Sequence, residues 1–536
     1  MTEAPRVTIA GGGLAGLTAA LRLAERGCRV KLYEQKTWLG GNLASRPTAD
    51  GARVDVYPHM YLEWYNNFWR LIGDVTDVER DELFLPLNTV KQLRRGEYPR
   101  FHGLTNMYSP WYMLRNLFSG VGRPADMYLF GYATIDLLAE RCNPTMLPND
   151  VTVGGFLDGR PYMTQRAAEA VNNFIVMIWA IPSYQASAVG YREYLEYCMA
   201  RPTPAYWLAR GSAYDQVIAP LSAALERHGV EIVPSVQVTG VSCRRGRVEE
   251  IELQKVRYQE RSEKWVGDGR RFTEDVDELI LAVPPAALSR LVRSGRQGRR
   301  IVEAAPELAG LSRLHAAAIP MLNVYFTRKL RGIPVEPVGL FGSMLGLAFT
   351  DISQTWDDTP GFEGHSVLAL SASDPFGLPG TGPHDDGMAI LREAAEYLKF
   401  DAGAEWGASP DIDWERTRYQ TNEDALLFVN DAGTEDARPQ ATCEEIHNLF
   451  FAGDFCRNRI GMTTMESAVT TGLEAAAALV KRRGLGTPVE IVEPRSRAGL
   501  PYVWLRYAWA PYAWYAKAWS TGGDYLCRLA RHLRDS

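Results

Sequence analysis

Apolar side chains near the start of the chain follow first the pattern of a buried strand and then that of a helix. Arg6–Ala10 carries an apolar run without the alternation of a half-exposed strand, which is typical of a strand covered on both faces. Apolar residues then recur at helical spacing through Leu17–Gly27, where the glycine is a natural terminator. Arg29–Glu34 predicts a second strand that ends in an acid. The chain is therefore predicted to open with a strand, a helix and a strand.

A glycine-rich turn joins the first strand to the helix. Gly11 permits a tight turn, Gly13 lets a pyrophosphate approach the backbone, and Gly16 allows the helix to lie close to the sheet. The free N–H groups and partial positive charge of the helix N-terminus favour phosphates. Glu34 can accept hydrogen bonds from ribose hydroxyls. These features predict a dinucleotide over the turn, with contacts from several of its residues, Gly11-Gly12-Gly13-Leu14-Ala15-Gly16.

The residues after the second strand narrow the identity of the dinucleotide. Gln35 is neutral, which argues against the 2′-phosphate of NADP. A second glycine pair, Gly40 and Gly41, precedes Asn42 and offers another place where the backbone can approach a cofactor closely. We expect all four residues to contact the cofactor.

The segment from Gly11 to Gly41 resembles the start of the flavin-containing amine oxidase and carotenoid desaturase superfamily. It is similar to phytoene desaturases of the plant and cyanobacterial type and to squalene-associated FAD-dependent desaturases. In that superfamily a Gly-Gly-Arg lies beside the flavin, and here Asn42 replaces the arginine. The resemblance continues in order, to about residue 482, through the segments Asp55–Tyr61, Leu279–Pro285, Ile319–Leu330 and Leu449–Asp454.

The resemblance implies that the cofactor is FAD, and it implies further contacts along the chain. Val238 would place backbone groups against the adenine, and Ala282 would end the strand that returns to the dinucleotide. Gly453 and Asp454 would approach the ribityl chain or the pyrophosphate. Met465 would open a helix whose N-terminus faces the flavin.

Candidate catalytic and substrate residues are few. His59 is a candidate for a position beside the flavin, and the alternative is a structural histidine among aromatic residues. Plant-type phytoene desaturases carry a basic residue, a tyrosine and a threonine where this chain has Gln216, Leu426 and Phe428. If these positions line the substrate pocket, the pocket lacks a charged anchor and suits a long apolar substrate.

The resemblance also implies an α/β fold in which a Rossmann-type FAD-binding domain is interleaved with an α+β substrate domain. We expect residues 1–100, 211–300 and 425–490 in the FAD-binding domain and residues 101–210 and 301–424 in the substrate domain. Residues 491–536 would form an aromatic tail.

In function, the resemblance implies an FAD-dependent oxidoreductase, a desaturase-like dehydrogenase that takes a hydride from an isoprenoid or carotenoid precursor onto flavin N5. Three alternatives stay open: a flavin-dependent double-bond isomerase or fatty-acid-modifying enzyme, an amine oxidase, and a non-catalytic FAD-containing assembly or lipid-binding protein. The sequence carries one dinucleotide fingerprint, so a quinone or oxygen is the expected electron acceptor unless the redox cycle is internal.

Charge and cysteine content change this picture little. A net charge of −6 gives no reason to expect a nucleic-acid partner. The seven cysteines include no CxxC pair, so we expect free thiols in a reducing cytoplasm and neither a disulfide framework nor a metal site. Met1–Arg6 does not read as a signal peptide, so a secreted protein is not expected.

The far C-terminus departs most from average composition. Gly499–Trp519 is rich in tryptophan and tyrosine and contains two prolines and two cations, which argues against a membrane-spanning helix. Tryptophan and tyrosine favour the lipid headgroup level, and the basic run Arg528–Arg534 would meet anionic lipid. We expect peripheral contact with the cytoplasmic membrane face, with packing on the protein or across a dimer as the alternative. The apolar segment Leu104–Leu138 is either core or a lipid-facing entrance.

Overall fold

The computed structural model describes residues 4–48, 53–105, 110–143, 147–201, 203–259, 264–293, 295–356, 362, 364–496 and 499–535. Only the backbone is described at 110–113, 295–299 and 523–535. Met107 and Tyr108 of the predicted apolar segment therefore lie outside the described residues.

The described strands and helices are numbered here in chain order. The strands are β1 (Arg6–Ala10), β2 (Arg29–Tyr33), β3 (Ser45–Pro47), β4 (Arg53–Asp55), β5 (Tyr61–Leu62), β6 (Phe84–Leu87), β7 (Thr89–Arg94), β8 (His102–Thr105), β9 (Tyr206–Ala209), β10 (Glu231–Val233), β11 (Val236–Arg244), β12 (Arg247–Gln259), β13 (Lys264–Asp275), β14 (Glu278–Leu281), β15 (Ala316–Ala317), β16 (Met321–Tyr325), β17 (Val338–Phe341), β18 (Leu347–Asp351), β19 (Val367–Ala372), β20 (Arg418–Gln420), β21 (Leu427–Phe428) and β22 (Leu449–Phe451). The helices are α1 (Leu14–Ala24), α2 (Asn66–Val75), α3 (Arg80–Leu83), α4 (Pro110–Leu117), α5 (Pro124–Ala139), α6 (Val153–Asp158), α7 (Gln165–Trp179), α8 (Ala188–Ala200), α9 (Ala219–Arg227), α10 (Pro285–Arg293), α11 (Gly295–Ala304), α12 (Pro383–Leu398), α13 (Met465–Arg483) and α14 (Leu500–Asp535).

A five-stranded sheet of order β10-β2-β1-β14-β22 carries the predicted dinucleotide turn, and all its neighbouring strands are parallel. Val7 and Ile9 of the central strand are fully buried, as expected for a parallel sheet covered on both faces. α1 packs along α13. A Cβ at Gly472 would lie 2.4 Å from the Ala15 carbonyl oxygen, so the glycine is needed for this close approach. The Rossmann-type α/β prediction is confirmed.

The first helix starts earlier than its apolar pattern predicts. α1 begins at Leu14 rather than at Leu17. Gly13 is extended, with φ −77° and ψ 172°, and serves as the N-cap, so the helix begins within the glycine turn itself. The first turn of the helix is therefore directly at the predicted phosphate position.

A second, seven-stranded sheet has the order β20-β16-β19-β18-β17-β7-β8 and is antiparallel except for the β17–β7 pair. Apolar residues of this sheet share a core with α12. β7 and β8 come from the segment around residues 89–105, so the chain enters this second sheet before residue 100, where the predicted domain boundary lies. The two units are thus interleaved more finely than the sequence indicates.

A helical layer of α5, α7 and α8 joins the core that contains α1, and the C-terminal helix α14 lies along α5. α5 is buried over almost its whole length. The part of the predicted apolar segment that forms α5 is therefore mainly core. None of the described helices combines the length and the hydropathy needed to cross a bilayer.

Candidate functional site

The glycine turn after β1 is shaped by backbone contacts. Gly11 has φ +108°, and a Cβ there would lie 2.2 Å from the Ala282 carbonyl oxygen. A Cβ at Gly16 would lie 2.0 Å from the Gly11 carbonyl oxygen, which explains why only glycine lets α1 sit this close. At Gly13 the nearest atom to an added Cβ is Gly41 Cα, at 3.9 Å. The space in front of Gly13 is therefore open, as an approaching ligand requires.

Glu34 closes the turn from the end of β2. Its carboxylate accepts hydrogen bonds from the Gly12 N–H at 2.6 Å and from the Lys36 N–H at 2.8 Å. Burial raises its pKa, and these backbone donors oppose that rise. A buried carboxylate gains from every added donor, and ribose hydroxyls would supply such donors.

Gln35 is neutral, so Lys36 is the first cation after Glu34 that could bind a 2′-phosphate. Its ammonium lies 3.2 Å from Asp424, which also pairs with Arg46. Desolvation lowers the pKa of Lys36. The lysine is thus engaged within the protein, which supports the preference against NADP.

The second glycine pair lies against the first turn. Gly40 and Gly41 have φ +111° and +61°, and the Gly40 N–H donates to the Gly12 carbonyl at 2.8 Å. Asn42 Nδ2 donates to the Leu426 carbonyl at 3.1 Å. The residue that replaces the family's arginine therefore links the dinucleotide turns to the segment just before β21.

The third side of the site follows β22. Gly453 has φ +154°, and its N–H donates to Thr471 Oγ1 of α13 at 3.0 Å. The half-buried Asp454 carboxylate accepts a hydrogen bond from the Thr463 hydroxyl, and desolvation raises its pKa. Met465 is the first residue of α13, whose N-cap is Thr464. An acid and a helix N-terminus thus lie together at the end of β22.

These three sides enclose one cavity of about 640 Å³. Every residue predicted to contact the cofactor lines this cavity except Gly16, whose place is in the packing of α1: Gly11, Gly13, Leu14, Ala15, Glu34, Gln35, Gly40, Gly41, Asn42, Val238, Ala282, Gly453, Asp454 and Met465. The bare backbone, the ribose acid and the acid of β22 are thus on the same cavity, which fits a flavin dinucleotide.

Two of the three predicted substrate residues line the cavity. Leu426 and Phe428 line the cavity, whereas Gln216 does not. Gln216 lies in a π-helical turn over Tyr214–Ile218, and its Nε2 is 2.6 Å from the position of a Cβ on Gly211. Its side chain is therefore directed at the preceding loop.

The rest of the cavity is formed by apolar side chains that sequence patterns did not single out. Helices α7 and α8 contribute Met177, Ile178, Trp179 and Tyr194. Strand residues such as Phe349 contribute from the seven-stranded sheet. Periodicity marks α7 as amphipathic, but it does not reveal that one end of a helix faces a cavity.

His59 lines the cavity and is half-buried. Its Nδ1 has no hydrogen-bond partner among the described residues. Desolvation lowers its pKa to about 4, so the imidazole is neutral at neutral pH. The histidine is placed where a ligand can meet it, and its part in catalysis stays a prediction.

One group outside the cavity lining bears on the prediction that no metal is bound. Glu307, Cys443 and Glu445 bring potential ligand atoms within 4.8 Å of one another. Both carboxylates are exposed, and exposed acidic groups commonly occur without an ion. The group carries no metal assignment.

Comparison with known proteins gives two family matches and one relative aligned over most of the chain. Residues 9–75 match the NAD(P)-binding Rossmann-like domain, and residues 204–480 match the flavin containing amine oxidoreductase family. Over 539 aligned residues the chain is 24% identical to the carotenoid phi-ring synthase of Streptomyces griseus, covering 90% of this chain and 89% of that protein.

Two further comparisons show less: one covers a short part of the chain, and the other shows only the fold. A zeta-carotene desaturase of Solanum lycopersicum is 36% identical over 70 residues, which cover 13% of this chain and 12% of that protein. The crystal structure of an oxidoreductase from Methanosarcina mazei superposes with a TM-score of 0.60 at 13% identity, covering 88% of this chain and 99% of that one. This likeness supports the fold.

The family match extends over more than half of the chain and indicates a flavin-dependent oxidoreductase. The chain belongs to the flavin containing amine oxidoreductase family.

Proposed function

We propose that the protein holds FAD non-covalently in this cavity and dehydrogenates a long apolar substrate of the isoprenoid or carotenoid class. The observation that carries the proposal is the lining of one continuous cavity. Dinucleotide-type elements form one part of it, and the apolar side chains of α7, α8 and the seven-stranded sheet form another.

The cofactor assignment rests on complementary groups. Gly11, Gly13 and the N-terminus of α1 suit a pyrophosphate, and Glu34 suits a ribose. Asp454 and the N-terminus of α13 add a third contact region. When bound, the flavin would supply the hydride acceptor that no protein side chain can replace.

The substrate class rests on the chemistry of the lining. Met177, Ile178 and Phe349 offer dispersion contacts to a hydrocarbon and exclude water from the reacting bond. Leu426 and Phe428 stand where the plant-type desaturases carry polar residues, so no charged anchor is added there. The carotenoid names of several relatives point to the same class of molecule.

His59 is the group in the lining that we propose to lie beside the flavin. Its low pKa makes it a poor proton acceptor, so its neutral Nδ1 is suited to a hydrogen bond rather than to general-base work. Electrons would leave to a quinone or oxygen, because the sequence holds one dinucleotide fingerprint.

The test is anaerobic mixing of the oxidised holoprotein with carotenoid precursors in detergent or in vesicles. Loss of the yellow flavin absorbance, with a product two hydrogens lighter by mass spectrometry, is expected. A rearranged product of unchanged mass would indicate an isomerase, and peroxide formation from amines would indicate an amine oxidase. A flavin that none of these compounds reduces would refute catalysis on this class.

A pair of variants separates the substrate pocket from the cofactor site. Ile178→Glu places a charge in the apolar lining and is expected to abolish reduction by the hydrocarbon while flavin stays bound. Val78→Glu, at an exposed position, is the matched control and is expected to behave as the unaltered protein. Equal reduction rates in both variants would contradict the assignment of the pocket.

A further inference from the structure

Helix α14 is held on the protein by its charged side chains. Arg506 Nε lies 2.9 Å from Asp136 Oδ1, and its Nη1 lies 3.3 Å from Glu140 Oε1. Further along, the Ser520 hydroxyl donates to the buried Asp126 at 2.6 Å, and Lys517 Nζ donates to the Pro161 carbonyl. The polar side of this helix therefore faces inward.

The surface beneath α14, which we call the seat, carries side chains that pair with that polar side. Arg160 also pairs with Asp136, at 2.8 Å, and with Glu140, at 2.9 Å, so two guanidinium groups balance two carboxylates. Tyr128 and Tyr132 of α5 donate from their hydroxyls to backbone carbonyls of α14, at 3.2 and 3.0 Å. The buried Ala513 and Ala516 lie on the same helix. The seat fixes how α14 is rotated.

The opposite side of α14 is apolar and open. Six aromatic side chains, each between 52% and 73% exposed, form what we call the outer aromatic face: Trp504, Tyr507, Tyr512, Trp514, Tyr515 and Trp519. Phe118, just beyond α4, is 78% exposed, and an apolar groove lined by Leu117 and Tyr512 joins α4 to α14. At about 200 Å² per aromatic side chain, the face presents about 800 Å² of largely aromatic surface, more than the largest apolar patch of an ordinary monomer.

This orientation is the reverse of a helix adapted to water. A surface helix of a globular protein buries its apolar stripe and exposes its charges, whereas α14 turns Arg506 and Lys517 toward the protein and exposes aromatic rings. Burying a charge is costly unless it is paired, so the ion pairs of the seat sustain an arrangement that water alone would not favour. The reversal indicates that the outer aromatic face is adapted to surroundings other than water.

We propose that the outer aromatic face lies in the headgroup region of a lipid bilayer, with α14 parallel to the membrane plane. Tryptophan and tyrosine are the residues that favour this depth. The helix continues through Arg528, Arg531 and Arg534, and cations near an anionic lipid surface are attracted to it. The proposal commits to lipid rather than to a second copy of the chain, and it does not depend on which substrate is used.

The test is co-sedimentation of the full-length holoprotein with vesicles of phosphatidylcholine, with and without phosphatidylglycerol. Binding is expected to both, and to be stronger to the anionic vesicles at low salt. The triple variant Trp504→Ser, Tyr515→Ser, Trp519→Ser is expected to lower the vesicle partition coefficient at least 100-fold. Phe376→Ser, which removes an exposed aromatic residue from a different loop, is the matched control and is expected to bind as the unaltered protein does.

Folding and self-association are checked separately. The substituted side chains point outward, so flavin content and melting temperature of the triple variant should match those of the unaltered protein. Wild-type protein that binds no vesicles would overturn the proposal. So would a triple variant that binds them equally well. A wild-type dimer that the triple variant converts to a monomer, together with no vesicle binding, would assign the face to a second copy.

Discussion

Gly13→Asp isolates the cofactor phosphate contact from folding more cleanly than any other glycine of the turn. Gly11 and Gly16 cannot accept a side chain, because a Cβ would lie 2.2 or 2.0 Å from a backbone oxygen. Gly13 has a φ of −77°, open to every amino acid, and its Cβ would meet only Gly41 Cα, at 3.9 Å. The apoprotein with aspartate at this position should therefore fold normally.

The expected loss of affinity comes from charge. A carboxylate about 4 Å from a phosphate, at an effective dielectric constant of about 20, is repelled by about 4 kcal/mol. Since about 1.4 kcal/mol corresponds to a factor of ten, the flavin dissociation constant should rise by about 10³. Gly13→Asn adds a side chain of similar size without the charge, so it should retain at least 100-fold more affinity than Gly13→Asp.

The assay is flavin content after purification, followed by titration of the apoprotein with FAD by fluorescence quenching. Gly73→Asp is the matched control, because Gly73 lies exposed in α2 and a Cβ there meets nothing within 4 Å. This control should stay yellow. If Gly13→Asp also retained full flavin, or if its affinity for FAD fell no further than that of Gly13→Asn, the phosphate would not lie over this turn.

Three further changes test separate parts of the site. Burial lowers the pKa of His59 to about 4, below its unfolded value, so the unfolded apoprotein takes up the proton first and stability is lost as the pH falls below about 6.5. His59→Gln should remove about 2 kcal/mol of this loss at pH 5 in denaturant titrations, and an unchanged pH dependence would contradict the burial argument. Burial raises the pKa of Glu466 to about 7, although its carboxylate accepts a hydrogen bond from the Asn67 N–H at 2.9 Å. Its contribution to the free energy of unfolding is therefore lost as the pH rises from about 4.5 through 7. Glu466→Gln should flatten that part of the stability profile by about 3 kcal/mol, measured by unfolding at pH 4 and pH 8, and a slope equal to the wild type would refute it. Asn42→Ala removes the hydrogen bond to the Leu426 carbonyl and should cost about 1 kcal/mol, seen as a lower melting temperature, whereas no change would mean that this link does not stabilise the fold.

The dinucleotide half of the site could be predicted from sequence because its signals are local. The order strand, glycine turn, helix, strand and acid lies within one stretch, and the structure displays a steric reason for glycine at Gly11 and Gly16. The start of α1 was placed too late because apolar periodicity does not register the N-cap at Gly13.

The substrate half depends on tertiary packing, which the sequence pattern does not encode. Gln216 was expected at the pocket from its place in an aligned motif, but a π-helical turn directs it elsewhere. Trp179 and Tyr194 reach the cavity only because α7 packs against β17 and α8 packs against α5. In the tail, composition predicts peripheral membrane contact or packing on the protein, and the inward direction of Arg506 follows from carboxylates on a distant segment.

The strand order of the parallel sheet has a consequence for synthesis. β14 receives its outer neighbour, β22, only after about 170 more residues have left the ribosome, since the two strands pair through Leu279–Leu449. Until then the nascent chain carries a bare strand edge and a cofactor cleft without its third wall, and such edges invite association with other chains. This strand order therefore leaves the outer edge of β14 open to such association until the last part of the parallel sheet has been synthesised.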